Sequence, residues 1–240
     1  MPLPCATAAK PSPIPWSKGA DLSFWKRIRG GRLIWTILVT FYFVNFFRTM
    51  FSDALPGQAL IPIIFAIAFT VWMAIEYYFE SPFFQSGVVQ PSQLWKSLFA
   101  LFYYPFLGYC AADYVWTRWT QMGPLSPYVN VFGILVFALG SALRFETLAT
   151  LVRSSENRLV RSGFFRFSRH PRYLATLLQV LAVPLVFSSW SGILLALAIG
   201  LPLTLVEIRY EEARLSARFP QDYSEYRKVV PALLPRFRKP

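Results

Sequence analysis

The fold is decided by a long apolar stretch at residues 174–206, LATLLQVLAVPLVFSSWSGILLALAIGLPLTLV. This stretch carries no charged side chain. As a single helix it would be about 50 Å long, whereas the hydrocarbon core of a bilayer is about 30 Å thick. The run Ser188–Gly192 in its middle is typical of a turn. The sequence therefore predicts a tight helical hairpin with arms at 172–187 and 191–210.

The rest of the chain is also apolar. Hydrophobic residues make up 55% of the 240 residues and charged residues 15%, whereas soluble domains have about 45–50% and about 25%. Four further apolar spans, each a candidate crossing, precede the hairpin at 33–50, 59–78, 94–112 and 128–143. We therefore predict an all-α integral membrane protein with about six transmembrane helices, the last two forming the hairpin, followed by a cytoplasmic C-terminal helix.

The distribution of positive charge predicts the orientation. The chain has 24 Lys and Arg against 12 Asp and Glu, and all but three of these cations lie in residues 1–32, 144–172 and 207–240. Six crossings place the three basic blocks on one side, which the positive-inside rule identifies as cytoplasmic. Both termini are then cytoplasmic. A nucleic-acid-binding protein would not separate its basic clusters by long apolar spans, so we expect the bilayer, and no nucleic acid, as a partner.

Most common catalytic motifs are absent from the sequence. It has no GxGxxG and no GxxxxGK[ST] phosphate loop. A single histidine, His170, and two distant cysteines cannot form a zinc site, and we expect no metal. A Ser-His-Asp triad has no support either, because nothing in the sequence orients His170.

Two polar segments flank the hairpin and should meet at one membrane face. Residues 157–173 (NRLVRSGFFRFSRHPRY) lead into it, and residues 207–215 (EIRYEEARL) leave it. His170 and Pro171 lie where a helix begins, and the free amide groups of a first turn favour an anionic group.

The helix that leaves the hairpin carries several acids. Glu212 lies within the apolar stripe of Ile208 and Leu215, whereas Glu207 and Glu211 lie on the adjoining polar face. An acid on the apolar side of a helix next to a membrane needs a partner. A purely structural partner would be an arginine of the preceding loop.

Five motifs follow one another over roughly residues 157–235. They are Leu159-Val160, Gly163, the run RHPRY at 169–173, the pair Glu211-Glu212, and the run FPQDYSEY at 219–226. In this order and spacing they resemble the family of isoprenylcysteine carboxyl methyltransferases and membrane phospholipid methyltransferases. The chain then divides into a basic, Pro-rich cytoplasmic tail (1–32), four transmembrane helices (33–143) and a catalytic region (144–240).

The resemblance implies that S-adenosyl-L-methionine binds at the cytoplasmic face and that a lipid-like or amphiphilic acceptor enters from the bilayer. The cofactor-binding residues that it implies are Asn157, Arg158, Leu159, Val160, Phe165, Arg169, His170, Pro171, Arg172, Tyr173 and Glu211. The residues implied at the reacting side are Glu207, Arg209 and Glu212. Whether Glu211 or Glu212 contacts the cofactor stays open, as does the oligomeric state.

The sequence departs from the family pattern at several positions. Prenylcysteine enzymes carry an arginine where this chain has Glu207, and Arg209 lies about 200° around the helix from it. An acid at 207 suits a protonatable acceptor, such as an amine, better than a prenylcysteine carboxylate. Asn157, Phe165 and Pro220 stand where the family has His, Tyr and Gly.

Two other functions remain as alternatives. An NADPH-dependent membrane reductase of the sterol-reductase type is one, because those enzymes resemble this family in the hairpin region. A non-catalytic lipid-binding or scaffold protein is the other, in which the basic loops would contact lipid headgroups. Trp95 is predicted only as an interfacial anchor.

Overall fold

The computed structural model describes residues 93–153 and 158–235, together with Arg48, Leu60 and residues 63–65 and 67–72. These residues form helices and turns, and apart from one isolated bridge between Gln121 and Ser189 they form no β structure. The all-α prediction is thus confirmed for the described part of the chain. The tail 1–32 and almost all of the first predicted span lie outside the described residues.

Five helices follow one another in the two long described segments. They are α1 Gln93–Ala112, α2 Ser126–Arg153, α3 Pro171–Val186, α4 Trp190–Arg218 and α5 Pro220–Val229. Both α3 and α5 begin with a proline, whose missing N–H and fixed φ suit the first helical position. Helix α4 contains a π turn at Ala196–Gly200, so its two α-helical parts, Trp190–Leu195 and Leu201–Arg218, form one continuous rod.

Within the described part of the chain, two stretches are long and apolar enough to cross a membrane: Gly123–Leu151, which includes most of α2, and Trp190–Arg218, which is α4. Helix α3, at 16 residues, is shorter. The count of six crossings stays a prediction. Helices α3 and α4 are separated by the turn 187–189. The second arm of the hairpin is expected to end at residue 210, but the polar segment that follows residue 210 is also helical and extends α4 to Arg218.

Helices α2 and α3 pack with very little space between them. A Cβ on Gly133 would lie 2.4 Å from the backbone nitrogen of Val186, and one on Gly140 would lie 3.0 Å from Cγ of Gln179. The two glycines are seven residues apart and so share a face of α2. Small residues at such positions let the backbones of apolar helices approach closely.

Polar side chains also join this pair of helices. Arg144 donates to the Thr176 hydroxyl at 2.9 Å, and Gln179 donates to the Ser141 hydroxyl at 3.0 Å. Between apolar helices such bonds fix the register. The start of α3, where the candidate site lies, is thereby held in place relative to α2.

The opposite end of the hairpin is held by a buried carboxylate. Asp113 accepts hydrogen bonds from the Thr117 hydroxyl at 2.7 Å, the Trp119 amide at 3.1 Å and the Ser189 hydroxyl at 3.1 Å. Ser189 lies in the turn between α3 and α4, so this network anchors the turn to the end of α1. Asp113 therefore lies at the end of the hairpin away from the polar segments that flank it.

Candidate active site

The C-terminal segment after α5 holds the loop that carries His170. The amide of Arg169 donates to the Pro231 carbonyl at 2.9 Å, and the amide of His170 donates to the Ala232 carbonyl at 3.0 Å. The Ser168 hydroxyl donates to the Leu233 carbonyl at 2.9 Å. We call residues 230–235 the C-terminal strap. The strap fixes the backbone at the start of α3.

The amides expected to bind an anion are therefore largely occupied. Besides Arg169 and His170, the amides of Tyr173 and Leu174 both donate to the His170 carbonyl at 3.1 Å. The strap and the first turn of α3 thus take up most of the amide donors on which the sequence predicts an anion site. Any attraction for an anion here comes from arginine side chains instead.

A cluster of opposite charges joins this loop to α4. Arg169 Nη2 lies 2.7 Å from Glu212 Oε1. The His170 ring lies between two acids, with Nδ1 3.5 Å from Glu211 Oε2 and Nε2 3.4 Å from Glu212 Oε1. The side chain of His170 is 1% exposed. The structure thus identifies Glu211 and Glu212 as the partners of His170, which the sequence did not reveal. It also identifies Arg169 as the loop arginine that pairs with Glu212.

The cluster favours a charged imidazole. Burial by itself disfavours the imidazolium, but the hydrogen bonds and charges of Glu211 and Glu212 outweigh it and raise the pKa of His170 above its usual value. Tyr223 of α5 lies beside this cluster, and burial together with the Glu212 charge raises the pKa of its hydroxyl. Tyr223 therefore stays protonated and can donate a hydrogen bond.

Glu207 is the most deeply buried acid of α4. It is 1% exposed, and its Oε1 lies 2.7 Å from Nη2 of Arg214, whose side chain is 37% exposed. The sequence predicts Glu207 and Glu211 on a polar face of α4, and the structure turns this face inward at Glu207. Packing of α4 against its neighbours buries Thr204 and Glu207 together with Ile208 of the apolar stripe.

The structure brings some of the predicted residues together and leaves others apart. Arg172 and Tyr173 are buried beside the cluster, and the Arg172 guanidinium lies 5.2 Å from the centre of the Tyr173 ring. Arg158 and Arg209 are exposed. Asn157 lies outside the described residues.

The remaining predicted residues shape the loop. Pro171 is the buried first residue of α3, and Val160 is half-buried. Leu159 packs against Tyr223 and Tyr226, and the Tyr226 hydroxyl donates to the Phe165 carbonyl. These contacts tie the loop before α3 to α5.

Two buried polar atoms of the cluster suit a zwitterionic ligand. Nε of Arg169 has no hydrogen-bond partner although it is shielded from solvent, and buried Oε2 of Glu211 has only the 3.5 Å approach of His170 Nδ1. Buried polar atoms are costly when they remain unpaired. A carboxylate fits the arginine donor and an ammonium fits the glutamate acceptor, so the cluster fits the methionine end of S-adenosylmethionine. Among the described residues, no group of three or more His, Cys, Asp or Glu is arranged to hold a metal ion.

Sequence reasoning missed three contributors. The strap residues Pro231 and Ala232 act through backbone carbonyls, which leave no trace in the sequence. Arg214 lies two helical turns after Glu207, and that spacing could have indicated the pair. Trp95, predicted as an interfacial anchor, is half-buried, and its indole donates to the Leu203 carbonyl at 3.1 Å.

Comparisons with known proteins find a matching family, a similar sequence and a similar structure. Residues 128–222 match the family described as phospholipid methyltransferase, which confirms the resemblance that the motifs predict. The chain is 33% identical over 113 residues to the cobalt-zinc-cadmium resistance protein CzcN of Cupriavidus metallidurans. That match covers 47% of this chain and 51% of CzcN, so the chain matches about half the length of this relative.

A solved structure is also similar, that of the eukaryotic intramembrane Ras methyltransferase ICMT, an isoprenylcysteine carboxyl methyltransferase. The two chains are 17% identical with a TM-score of 0.48, over 83% of this chain and 85% of the other.

Proposed function

We propose that this protein, whose residues 128–222 belong to the phospholipid methyltransferase family, is an integral membrane enzyme that transfers the methyl group of S-adenosylmethionine to a lipid-like or small amphiphilic acceptor. The observation that carries the proposal is the buried cluster of Arg169, His170, Glu211 and Glu212. Nε of Arg169, which has no hydrogen-bond partner, and Oε2 of Glu211, whose nearest cation is His170 Nδ1 at 3.5 Å, are complementary to an amino acid zwitterion.

The residues would share the binding of the cofactor. Arg169 would hold the carboxylate, and Glu211 would accept from the ammonium group. Tyr173, beside Glu211, offers an aromatic face to a cation. When bound, S-adenosylmethionine supplies a methyl group on a positively charged sulfur, and the chain's own residues mainly align the reactants and exclude water.

The acceptor that suits Glu207 best is an amine. A protonated amine must first lose a proton, which a carboxylate at the reacting side, Glu207 or Glu212, can take. With the proton held by Glu207 or Glu212, the nitrogen lone pair would be free to accept the methyl group that S-adenosylmethionine would supply, leaving S-adenosylhomocysteine. A prenylcysteine carboxylate is disfavoured because the buried acid at 207 would repel it. Arg209, on the outside of α4, is not given a role in this scheme.

The proposed site faces the cytoplasm. Its basic loop belongs to one of the three positive blocks, and the positive-inside rule places such blocks on the cytoplasmic side. The cofactor would then come from the cytoplasm and the acceptor from the bilayer.

Thermal unfolding of the protein in detergent tests the cofactor. We expect S-adenosylmethionine and S-adenosylhomocysteine to raise the Tm, because a ligand that binds only the folded state stabilises it. NADPH should not raise it. His170→Ala and Glu211→Ala should each weaken the binding of S-adenosylhomocysteine by about tenfold or more, since each removes a buried charge-assisted contact.

The matched control is Lys228→Ala, on the exposed side of α5, which should bind S-adenosylhomocysteine like the unaltered protein. Unchanged affinity in both His170→Ala and Glu211→Ala would contradict the proposed site. A Tm shift with NADPH alone would favour the reductase, and no shift with any of the three compounds would favour the scaffold.

A further inference from the structure

Helix α2 carries a row of exposed apolar side chains along one face. Its members recur at steps of three and four residues, which places them on one side of the helix. They are Tyr128, Val131, Phe132, Leu135, Leu139 and Ala142, all of them exposed. We call these residues the α2 stripe. At 1.5 Å per residue the α2 stripe is about 21 Å long, somewhat more than the hydrocarbon thickness of one bilayer leaflet.

The α2 stripe ends at an acid, Glu146. This residue lies four positions after Ala142 and therefore on the same face of the helix. Arg144, two positions before Glu146, donates to Thr176 of α3. Because two residues turn a helix by about 200°, Glu146 lies on the side of α2 away from α3. A carboxylate thus stands at the end of an apolar surface that does not pack against the hairpin.

The two oxygens of this carboxylate differ. Oε1 of Glu146 accepts a hydrogen bond from the Thr150 hydroxyl at 3.0 Å, whereas Oε2 is shielded from solvent and has no hydrogen-bond partner. None of the ion pairs formed within the described ranges includes Glu146. A shielded carboxylate without a counter-ion is costly, and a cation that reaches it is bound favourably.

The loop before α3 lies over the bonded oxygen. Gly163 has a φ of +59°, and a Cβ on it would lie 2.5 Å from Oε1 of Glu146 and 2.8 Å from the Thr150 hydroxyl oxygen. The absence of a side chain at 163 therefore lets the loop approach the carboxylate closely. Glu146 as a whole is half-buried, so a rotation of its flexible side chain brings Oε2 towards the end of the α2 stripe.

From this arrangement we infer that α2 binds an amphiphilic amine from the bilayer, with the ammonium group on Glu146 and the alkyl chain along the α2 stripe. The ammonium group supplies the charge-assisted hydrogen bond that Oε2 lacks. The chain lies on side chains that are already in an apolar environment. The inference goes beyond the proposed function and does not depend on it, because such an amine binds here whether or not it receives a methyl group.

The donor set at Glu146 favours an amine over a metal ion. Calcium takes six to eight oxygen ligands, and magnesium takes six. In the part of the chain that the structure describes, Glu146 does not belong to any group of three or more His, Cys, Asp or Glu that could hold a metal. One free carboxylate oxygen next to an apolar surface suits a single ammonium group with a chain attached.

Photolabelling tests the inference with two probes of equal length. Each is a twelve-carbon chain with a diazirine near its far end, and one has an amine as its headgroup while the other has an alcohol. Both are irradiated with the protein in micelles of an uncharged maltoside detergent, and peptide mass spectrometry locates the label. The amine should label the α2 stripe about tenfold more strongly than the alcohol, because it makes a hydrogen bond to a charged group.

Two variants separate the headgroup contact from the chain contact. Glu146→Gln keeps the shape of the side chain and its acceptor for Thr150 but removes the charge. It should reduce labelling by the amine to the level of the alcohol. Leu139→Gln places a polar group in the path of the chain, and it should weaken labelling by both probes about fivefold.

Matched controls come from the same chain. Glu225→Gln removes an exposed acid of α5, and Leu101→Gln changes an apolar side chain of α1 that is 72% exposed. Neither should change the labelling of the α2 stripe. If Glu146→Gln does not yield folded protein, Glu146→Asp replaces it. This variant keeps the charge but draws it back by one methylene group, so it should weaken labelling by the amine by a smaller factor.

Equal labelling of the α2 stripe by the two probes in the unaltered protein would mean that this face is an ordinary lipid-facing surface, and it would overturn the inference. A preference for the amine that persists at full strength in the Glu146 variants would overturn it as well, and so would amine labels that fall mainly on other helices. The Tm of each variant, measured on the same samples, shows whether the compared proteins are folded.

Discussion

At the scale of single residues, His170 is the group whose charge the structure controls most directly. It lies between Glu211 and Glu212, and both acids favour the imidazolium. The family resemblance indicated that His170 belongs to a site, but its partners lie about forty positions further along the chain. Only the folding of α4 back along α3 brings them together.

A pH dependence of stability follows from the raised pKa of His170. Because the folded-state pKa is above the unfolded value of about 6.5, the charged ring stabilises the fold fully below that pH. This contribution is lost as the pH rises through the folded-state pKa. Thermal unfolding of the ligand-free protein should therefore show a Tm that falls over this range, and His170→Asn should flatten the decline. If the Tm of His170→Asn declines with pH as much as that of the unaltered protein, a group other than His170 causes the pH dependence.

At the scale of helices, the close approach of α2 and α3 positions the start of α3. Both helices are recognisable in the sequence as apolar spans, and the RHPRY motif marks where α3 begins. Their closeness was not predictable from hydropathy, because it depends on which face of α2 carries glycine at the point of contact. Gly133 and Gly140 supply that face.

Gly133→Ala tests this contact. Its Cβ would lie 2.4 Å from the Val186 nitrogen and 2.8 Å from the Leu185 carbonyl carbon, so the backbones must separate. We expect a loss of about 1–3 kcal/mol or more in the free energy of unfolding, the usual cost of overpacking. Gly108→Ala in α1, where a Cβ meets nothing within 4 Å, is the control. Unfolding in detergent measures both, and equal stability of the two variants would argue against the packing described.

At the scale of the whole molecule, the C-terminal strap closes the site from outside the hairpin. Its carbonyls receive the amides of Arg169 and His170, and Arg169 Nη1 also donates to the Arg227 carbonyl at 3.2 Å. The acids come from α4, the basic loop precedes α3, and the strap follows α5. The site therefore exists only when these three parts are assembled.

A chain that ends after Val229 should lose the strap and keep the helices. We expect S-adenosylhomocysteine to bind it about tenfold more weakly or worse, because the His170 loop loses several hydrogen bonds. Amide exchange at residues 168–170 should become faster, a readout that does not depend on activity. A chain that ends after Pro235 retains the strap and is the control. Equal affinity of the two shortened chains would show that the strap does not position the loop.

The sequence alone determined the helical class and the similarity to a methyltransferase family, and it indicated the region of the candidate site, because apolar runs and short motifs are local properties of the chain. The tertiary structure decided which charges meet. Arg169 pairs with Glu212, Glu207 is buried and pairs with Arg214, and Trp95 reaches the carbonyl of Leu203. Most of these pairings depend on how the helices cross, and all depend on which face of α4 turns inward. Neither hydropathy nor motif spacing specifies that face.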